Sequence, residues 1–195
     1  MIRYSLWNML YLSVCLLITC MFHRPARLIR LPVDIRGEKY IIWGRGFTSG
    51  RNCRFEAMPM TNNAQATIIF GNNVQVNDNV HIVGSESVRI GNDVLIASKV
   101  FISDCSHGIY SGVACSSPDC PPQKRPIFSR PVEIMDRVWI GDNVVIMPGV
   151  TIGEGSIVGA SAVVSQSIPD ECLAVGIPAR VIKKYDRLTN QWINI

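Results

Sequence analysis

A ladder of aliphatic residues recurring at every sixth position constrains this chain more than any other feature. From Ile134 its rungs are Ile140, Ile146, Ile152, Val158 and Val164, without a slip. Four residues after each rung stands a second small or aliphatic side chain: Val138, Val144, Val150, Ser156, Ala162 and Ile168. Residues that turn cheaply follow many rungs, as in Ile140-Gly141-Asp142-Asn143 and Ile152-Gly153-Glu154-Gly155. An α-helix repeats about every 3.6 residues and a strand about every 2, so a strict period of six belongs to neither alone. It is the pattern of a short-period solenoid, a parallel β-helix.

Three six-residue faces per turn make a triangular prism whose coils stack about 4.8 Å apart. Upstream, the same step is legible at Phe70-Gly71-Asn72-Asn73-Val74, Val76 and Ile82. After a two-residue insertion it resumes at Ile90, Ile96 and Ile102. Together the two regular blocks supply about four turns. Earlier steps at Trp43, Ser49 and Phe55 are blurred by a loop from Met58 to Ala66. The period is lost from Ser103 to Arg130, a stretch that holds Pro118, Pro121, Pro122 and Pro126 with Gly108 and Gly112. A long irregular loop within a regular coil is usually functional. The coil is expected to end near Ile168-Pro169-Asp170, where a proline removes a ladder donor. The expected architecture is therefore all-β, divided into an apolar N-terminal helix (1–23), a connector with irregular first coils (24–66), the β-helix (67–170, with its loop at 103–130) and a C-terminal extension (171–195).

The segment Ser5 to Phe22 carries no charge and is followed by His23, Arg24, Arg27 and Arg30. A spanning helix needs about 20 predominantly apolar residues, so this one is marginal, and Asn8, Ser13 and Thr19 weaken it further. No A-x-A-like cleavage site follows Phe22. Three dispositions stay open for residues 5–22: a helix on a membrane surface, a helix docked in an oligomer, and an anchor. The basic cluster would hold the following chain on the cytoplasmic side. The expected location is cytoplasmic, or peripheral at the inner face of the cytoplasmic membrane.

A net charge of +4 is too weak and too scattered to argue for nucleic acid. Seven cysteines without a CxxC pair support neither a zinc site nor a disulfide framework. Of three histidines, His23 lies outside the coil, and the face on which His81 sits is not fixed by spacing. No metal site is expected from so few. His107 stands where the coil breaks, in Phe101-Ile102-Ser103-Asp104-Cys105-Ser106-His107-Gly108. A histidine just past a rigid strand, at the mouth of a long loop, is placed to act as a general base near neutral pH. A loop histidine without a task is the competing reading. Asp104 or Ser106 could orient its ring, although Asp104 serves better as a turn-former through its own side chain. Nothing marks Cys105 as an activated nucleophile.

The run from Ile140 to Gly153 and the ending Ala174-Val175-Gly176-Ile177-Pro178-Ala179-Arg180-Val181-Ile182-Lys183 resemble the bacterial hexapeptide acyltransferases. Within that group the chain is most similar to sugar O-acetyltransferases, including the galactoside, maltose, nodulation-factor and lipopolysaccharide O-antigen enzymes. The likeness to the last of these runs from about Arg27 to the end, and Phe101 to Gly108 is its specific part. The resemblance implies a left-handed coil, a homotrimer with sites between adjacent prisms, acetyl-CoA as co-substrate and a sugar or glycan acceptor. It places the catalytic histidine on His107 and an asparagine near the reacting carbonyl on Asn77, which is also a natural coil corner. It places coenzyme A contacts on Asp142, Ala160, Ser165, Arg180 and Lys183, with Trp139 near the same groove. Arg180 and Lys183 have a physical reason to be there, since cations can meet the phosphates of coenzyme A. Where the sugar enzymes often carry an acceptor-binding acid this chain has Ser85, and the loop with Cys115 and Cys120 matches none of the simple sugar enzymes. The implied activity is transfer of acetyl to a sugar hydroxyl of a surface polysaccharide or its precursor. Acetylation of an antibiotic or of a sugar amine, and a catalytically silent scaffold, are the alternatives.

Overall fold

Each six-residue step folds as a short strand and a corner, and successive strands take three faces in rotation. Gln75–Val76 lies on a first face, His81–Gly84 on a second, Val88–Ile90 on a third, and Leu95–Ile96 returns to the first. This computed structural model describes residues 5–60 and 65–195. Residues 1–4 and 61–64, the latter within the expected loop from Met58 to Ala66, lie outside the described residues.

Rungs of successive turns stack in parallel register: Ile134 between Ile90 and Ile152, Ile140 between Ile96 and Val158, Ile146 between Ile102 and Val164. All are buried, as are the second positions from Val138 to Ile168. The period is six because one inward side chain and one corner filler complete each face. Burying an aliphatic side chain of this size contributes about 1.5–3 kcal/mol, so the axis of the prism is where the fold gains its stability.

Corners are made by residues that tolerate a left-handed backbone, among them Asn73, Asn79, Asp93 and Asn143. At the corner from third to first face the side chains also tie coil to coil. Asn72 accepts from the Arg45 N–H (3.0 Å), Asn92 from that of Asn72 (2.9 Å) and Asp136 from that of Asn92 (2.7 Å). Gly71 is required there because a Cβ would come within 2.6 Å of the Gly91 carbonyl carbon in the next coil.

The coil starts earlier than the clean ladder suggests. Leu28–Ile29, Val33–Arg36 and Ile41–Ile42 already occupy the three faces, and the third face carries five strands plus a closing bridge between Ile152 and Ile168. The ladder is blurred in these turns because aromatics replace the aliphatics. Trp43, Phe47, Phe55 and Phe70 fill the axis, with Trp43 stacked on Phe70 at 5.2 Å. The first face also takes one more parallel strand beyond Pro169, Cys172–Val175, to which Arg180–Asp186 and Gln191–Asn194 add antiparallel.

Helix α1 (Leu6–Phe22), capped by the Ser5 side chain, lies against Leu28–Ile29 at the open edge of the first face. Thr19 Oγ1 accepts from the Ile29 N–H at 2.9 Å, and the Tyr11 hydroxyl donates to the Leu31 carbonyl at 2.6 Å. The helix thereby satisfies strand groups that would otherwise template another strand. Among the described residues no helix is long and apolar enough to cross a membrane.

Candidate active site

The break in the coil begins and ends at one point. The Asp104 carbonyl accepts from the Arg130 N–H at 2.8 Å, so the excursion leaves and re-enters at the corner from second to third face. Its first and last residues, expected to be irregular, pair as antiparallel strands Cys105–His107 and Ile127–Ser129, with His107 opposite Ile127. Once the two ends are held together, this pairing satisfies backbone groups that would otherwise go unmatched. Arg125 ties the rest, donating to the Cys120 carbonyl (2.9 Å), the Tyr110 hydroxyl (2.9 Å) and the Pro118 carbonyl (3.3 Å). Tyr110 in turn donates to the His107 carbonyl.

His107 is exposed and stands at the lip of a cleft of about 790 Å³. Met58, Pro59, Met60, Val83, Phe101 and Ile127 give it apolar walls, and Ser85, Ser103, Cys105 and Ser106 add polar atoms. A cleft of this size, mostly apolar with a few converging polar groups, is the usual form of a small-molecule site.

Asp104 is fully buried, and it does not hold the imidazole. Its carboxylate accepts from the N–H groups of Ser85 (2.8 and 3.0 Å), Glu86 (2.7 Å) and Ser87 (2.7 Å). These three residues form the turn that takes up the two-residue insertion, and their N–H groups bond to Asp104 rather than to a neighbouring coil. The turn-forming reading of Asp104 is therefore the right one, although the turn it forms belongs to the preceding coil. Burial pushes this carboxyl above its ordinary range, and the three N–H groups pull the other way. Ser106 donates weakly to the Gly108 carbonyl at 3.5 Å and does not orient the ring either. Burial raises the Cys105 thiol, which works against a nucleophilic thiolate.

The residues singled out from sequence fall into separate places. Asn77 lies at the corner from first to second face, in a groove with Arg30, Gly50, Arg51, Asp78 and Ser98. Within one chain the second face lies between the corner that carries Asn77 and the corner from which the hairpin of His107 leaves. Asp142 and Ala160 follow along the same corner, where Asp142 accepts from the Ser98 N–H at 3.0 Å. Arg180, exposed, pairs with Val175 just beyond. Trp139 is half exposed on the first face between Leu95 and Ile157, and Lys183 stands beside Leu173 on that face. Ser165 follows Val163–Val164, at the far edge of the second face.

Two features escaped the sequence. The wall from Met58 to Met60 comes from a distant coil, and no spacing connects it to His107. An ionic cluster sits behind Phe101: the Glu56 carboxylate lies 2.6 Å from Arg54, 2.8 Å from His81 and 3.2 Å from Arg36. The His81 ring packs edge-on against Phe101 at 5.3 Å. Arg54, His81 and Phe101 occupy one outward row of the second face, which becomes legible only once three steps are known to make a turn.

A parallel three-faced coil with an excursion carrying a lone histidine at a cleft defines a class of enzyme. Residues 131–166 match the family described as bacterial transferase hexapeptide (six repeats). The chain belongs to the hexapeptide-repeat acyltransferases. It is 46% identical over 191 residues, 97% of this chain and 95% of the relative, to WbbJ of Escherichia coli K12, provisionally named a lipopolysaccharide biosynthesis O-acetyl transferase. It is 34% identical over 153 residues, 78% of this chain and 71% of the relative, to the galactoside O-acetyltransferase of the same organism. Among solved structures, a variant of AntD, an N-acyltransferase from Bacillus cereus in complex with dTDP-4-amino-4,6-dideoxyglucose and coenzyme A, superposes with a TM-score of 0.68. That likeness has 25% identity and covers 83% of this chain and 82% of AntD.

Proposed function

We propose that this protein moves an acetyl group from acetyl-CoA to a hydroxyl of a sugar in a surface polysaccharide or its precursor, with His107 as general base. The observation that carries the reading is the position of His107, exposed at the lip of an apolar cleft where the coil opens. Neither ring nitrogen of His107 has a hydrogen-bond partner among the described residues, which leaves the imidazole free for substrate. In the proposed step the imidazole takes the hydroxyl proton as the sugar oxygen attacks the thioester carbonyl. The tetrahedral intermediate then collapses, the carbon–sulfur bond breaks, and the coenzyme A thiolate recovers the proton from the imidazolium. General-base help of this kind is worth about 10²–10⁴-fold. Proximity in a shared groove supplies much of the rest.

The galactoside O-acetyltransferase and the dTDP-4-amino-4,6-dideoxyglucose bound to AntD support a sugar acceptor, and the likeness to WbbJ, named for lipopolysaccharide biosynthesis, supports a surface polysaccharide. The coenzyme A bound to AntD supports acetyl-CoA as donor. We take the coil to be left-handed, the excursion at 103–130 to project beside a neighbouring prism, and the assembly to be a homotrimer with sites between copies. Asn77 reaches such a site only if its corner in one copy lies beside the His107 lip of the next. There its amide would meet the oxyanion. Trp139, Asp142, Ala160, Ser165, Arg180 and Lys183 are assigned to coenzyme A, with the two cations toward its phosphates. AntD also motivates a second reading, transfer to a sugar amine.

The test is thiol release from acetyl-CoA with hydroxyl and amino sugar acceptors, wild type against His107→Ala. A loss of about a hundredfold or more is expected with a hydroxyl acceptor. Turnover of the variant within about threefold of wild type would remove His107 as the base. Preference for the amino sugar would favour the second reading.

A further inference from the structure

Helix α1 seals the coil with one side and leaves the other bare. Cys15 and Thr19 are buried against the first coil, with Tyr11, Leu12 and Ile18 partly covered. The opposite arc presents Leu6, Trp7, Leu10, Val14, Leu17 and Met21 to solvent, each between 45% and 84% exposed. No charged residue occurs anywhere in Leu6–Phe22. A helix this apolar on all sides is ordinarily covered, and a contiguous bare patch of this kind marks an interaction surface.

Charge selects the occupant. Arg24 and Arg27 follow the C-terminal end of the helix, while Arg30 and Arg51 flank its N-terminal half, beside Asn8, Tyr11 and Leu12. The Arg51 guanidinium lies over the Tyr11 ring at 4.2 Å, and Arg30 donates to the Ser49 carbonyl at 3.1 Å. Among the described residues none of these four arginines is in an ion pair. A second copy docked through the same patch would bring like charges together, whereas anionic lipid headgroups would neutralise them. The 17 residues of the helix reach about 25 Å against a hydrocarbon core about 30 Å thick, and among the described residues no helix is long and apolar enough to cross a membrane. A bare apolar arc bracketed by cations is the arrangement of a helix lying in the plane of an anionic bilayer.

We infer that α1 binds the surface of an anionic lipid bilayer, with its bare arc among the acyl chains and the four arginines at the headgroup phosphates. The bare arc, Arg24 and Arg27 are separate from both the His107 cleft and the Asn77 groove, which Arg30 and Arg51 also line, so the inference and its variants stand apart from the transfer reading.

Vesicle flotation of the full chain tests it, using phosphatidylcholine alone and phosphatidylcholine with about a third phosphatidylglycerol. The wild type should float with the anionic vesicles. The doubly substituted Leu10→Glu/Leu17→Glu protein should stay behind, and Arg24→Gln/Arg27→Gln should bind about tenfold more weakly or worse. Both variants should keep the wild-type circular dichroism and release thiol from acetyl-CoA with a soluble acceptor at the wild-type rate. Absence of wild-type flotation overturns the inference, as does flotation of Leu10→Glu/Leu17→Glu equal to wild type. A fall in oligomer mass in that variant, with no vesicle binding by wild type, would assign the patch to contacts between copies. Loss of thiol release by His107→Ala bears only on the transfer reading.

Discussion

Asp104 shows how one side chain can shape a site without touching substrate. It fastens the Ser85–Ser87 turn, which rims the cleft, to the strand that leads into His107. Asp104→Ala would leave three N–H groups without their acceptor and should cost about 3 kcal/mol in urea unfolding, with Asp104→Asn losing less. A cost below about 0.5 kcal/mol would mean that water replaces the carboxylate freely. The pH dependence has a definite sign. Burial raises this carboxyl in the folded state, so its contribution to stability is greatest below the unfolded value, about 3.9, and fades as pH rises through the folded one. The deficit of Asp104→Asn should therefore grow as pH falls from 7 towards 4. Asp136 behaves oppositely, because the Asn92 N–H lowers it, and its contribution is lost as pH falls through that depressed value. Thiols offer a second check. Burial pushes Cys53 up to about 11, so at pH 8 it should resist iodoacetamide while the exposed Cys20 and Cys115 are alkylated. Peptide mapping that finds Cys53 modified in the folded protein would contradict its packing.

Strands and corners were the most legible elements, and the reason is geometric. A rung such as Ile146 meets Ile102 and Val164 across the coil in every turn, so any slip in the period would bury a polar residue or expose an aliphatic one. Ile146→Ala should cost about 2–5 kcal/mol, whereas Ile193→Ala in the half-exposed last strand should cost well under 1 kcal/mol. Comparable losses at the two positions would contradict a core confined to the axis. The steps at Trp43, Ser49 and Phe55, blurred in the sequence by the loop from Met58 to Ala66, keep the register with two aromatics and a serine in place of aliphatics, and all three are buried. His107 was legible because it stands at the break in the period. The cleft around it was not, since Met58, Ser85 and Ile127 meet there through turns whose length no local spacing records. The excursion itself was expected to be irregular because prolines hide its hairpin. Arg125 is its main internal tie, so Arg125→Ala should raise the acceptor KM several-fold, about fivefold, while moving Tm by less than about 2 °C. An unchanged KM would show that the excursion does not shape the acceptor site.

A solenoid gains stability turn by turn, because each coil contacts only its neighbours. The chain closes its two ends differently. At the N-terminal end α1 takes the edge groups of Leu28–Leu31, and the aromatic cluster from Trp43 to Phe70 fills the axis behind it. At the other end the hairpin of Arg180–Asp186 and Gln191–Asn194 hangs from a single strand, Cys172–Val175, and its outer strand is largely exposed. Opening should therefore begin at the C-terminal hairpin and proceed coil by coil along the axis, since each lost turn uncovers the next row of rungs. Native-state hydrogen exchange reads this directly. The amides of Leu95, Phe101 and Val145, each of which donates into the next coil in the middle of the prism, should be the slowest. Those of residues 191–194 should exchange fastest, and amides of 157–164 should fall between. Exchange at one common rate from residue 28 to residue 194 would mean that the coil unfolds as a single unit. The hairpin that carries Lys183 would then be as firmly held as the cleft, and Lys183 could not adjust by local opening to the coenzyme A proposed for it.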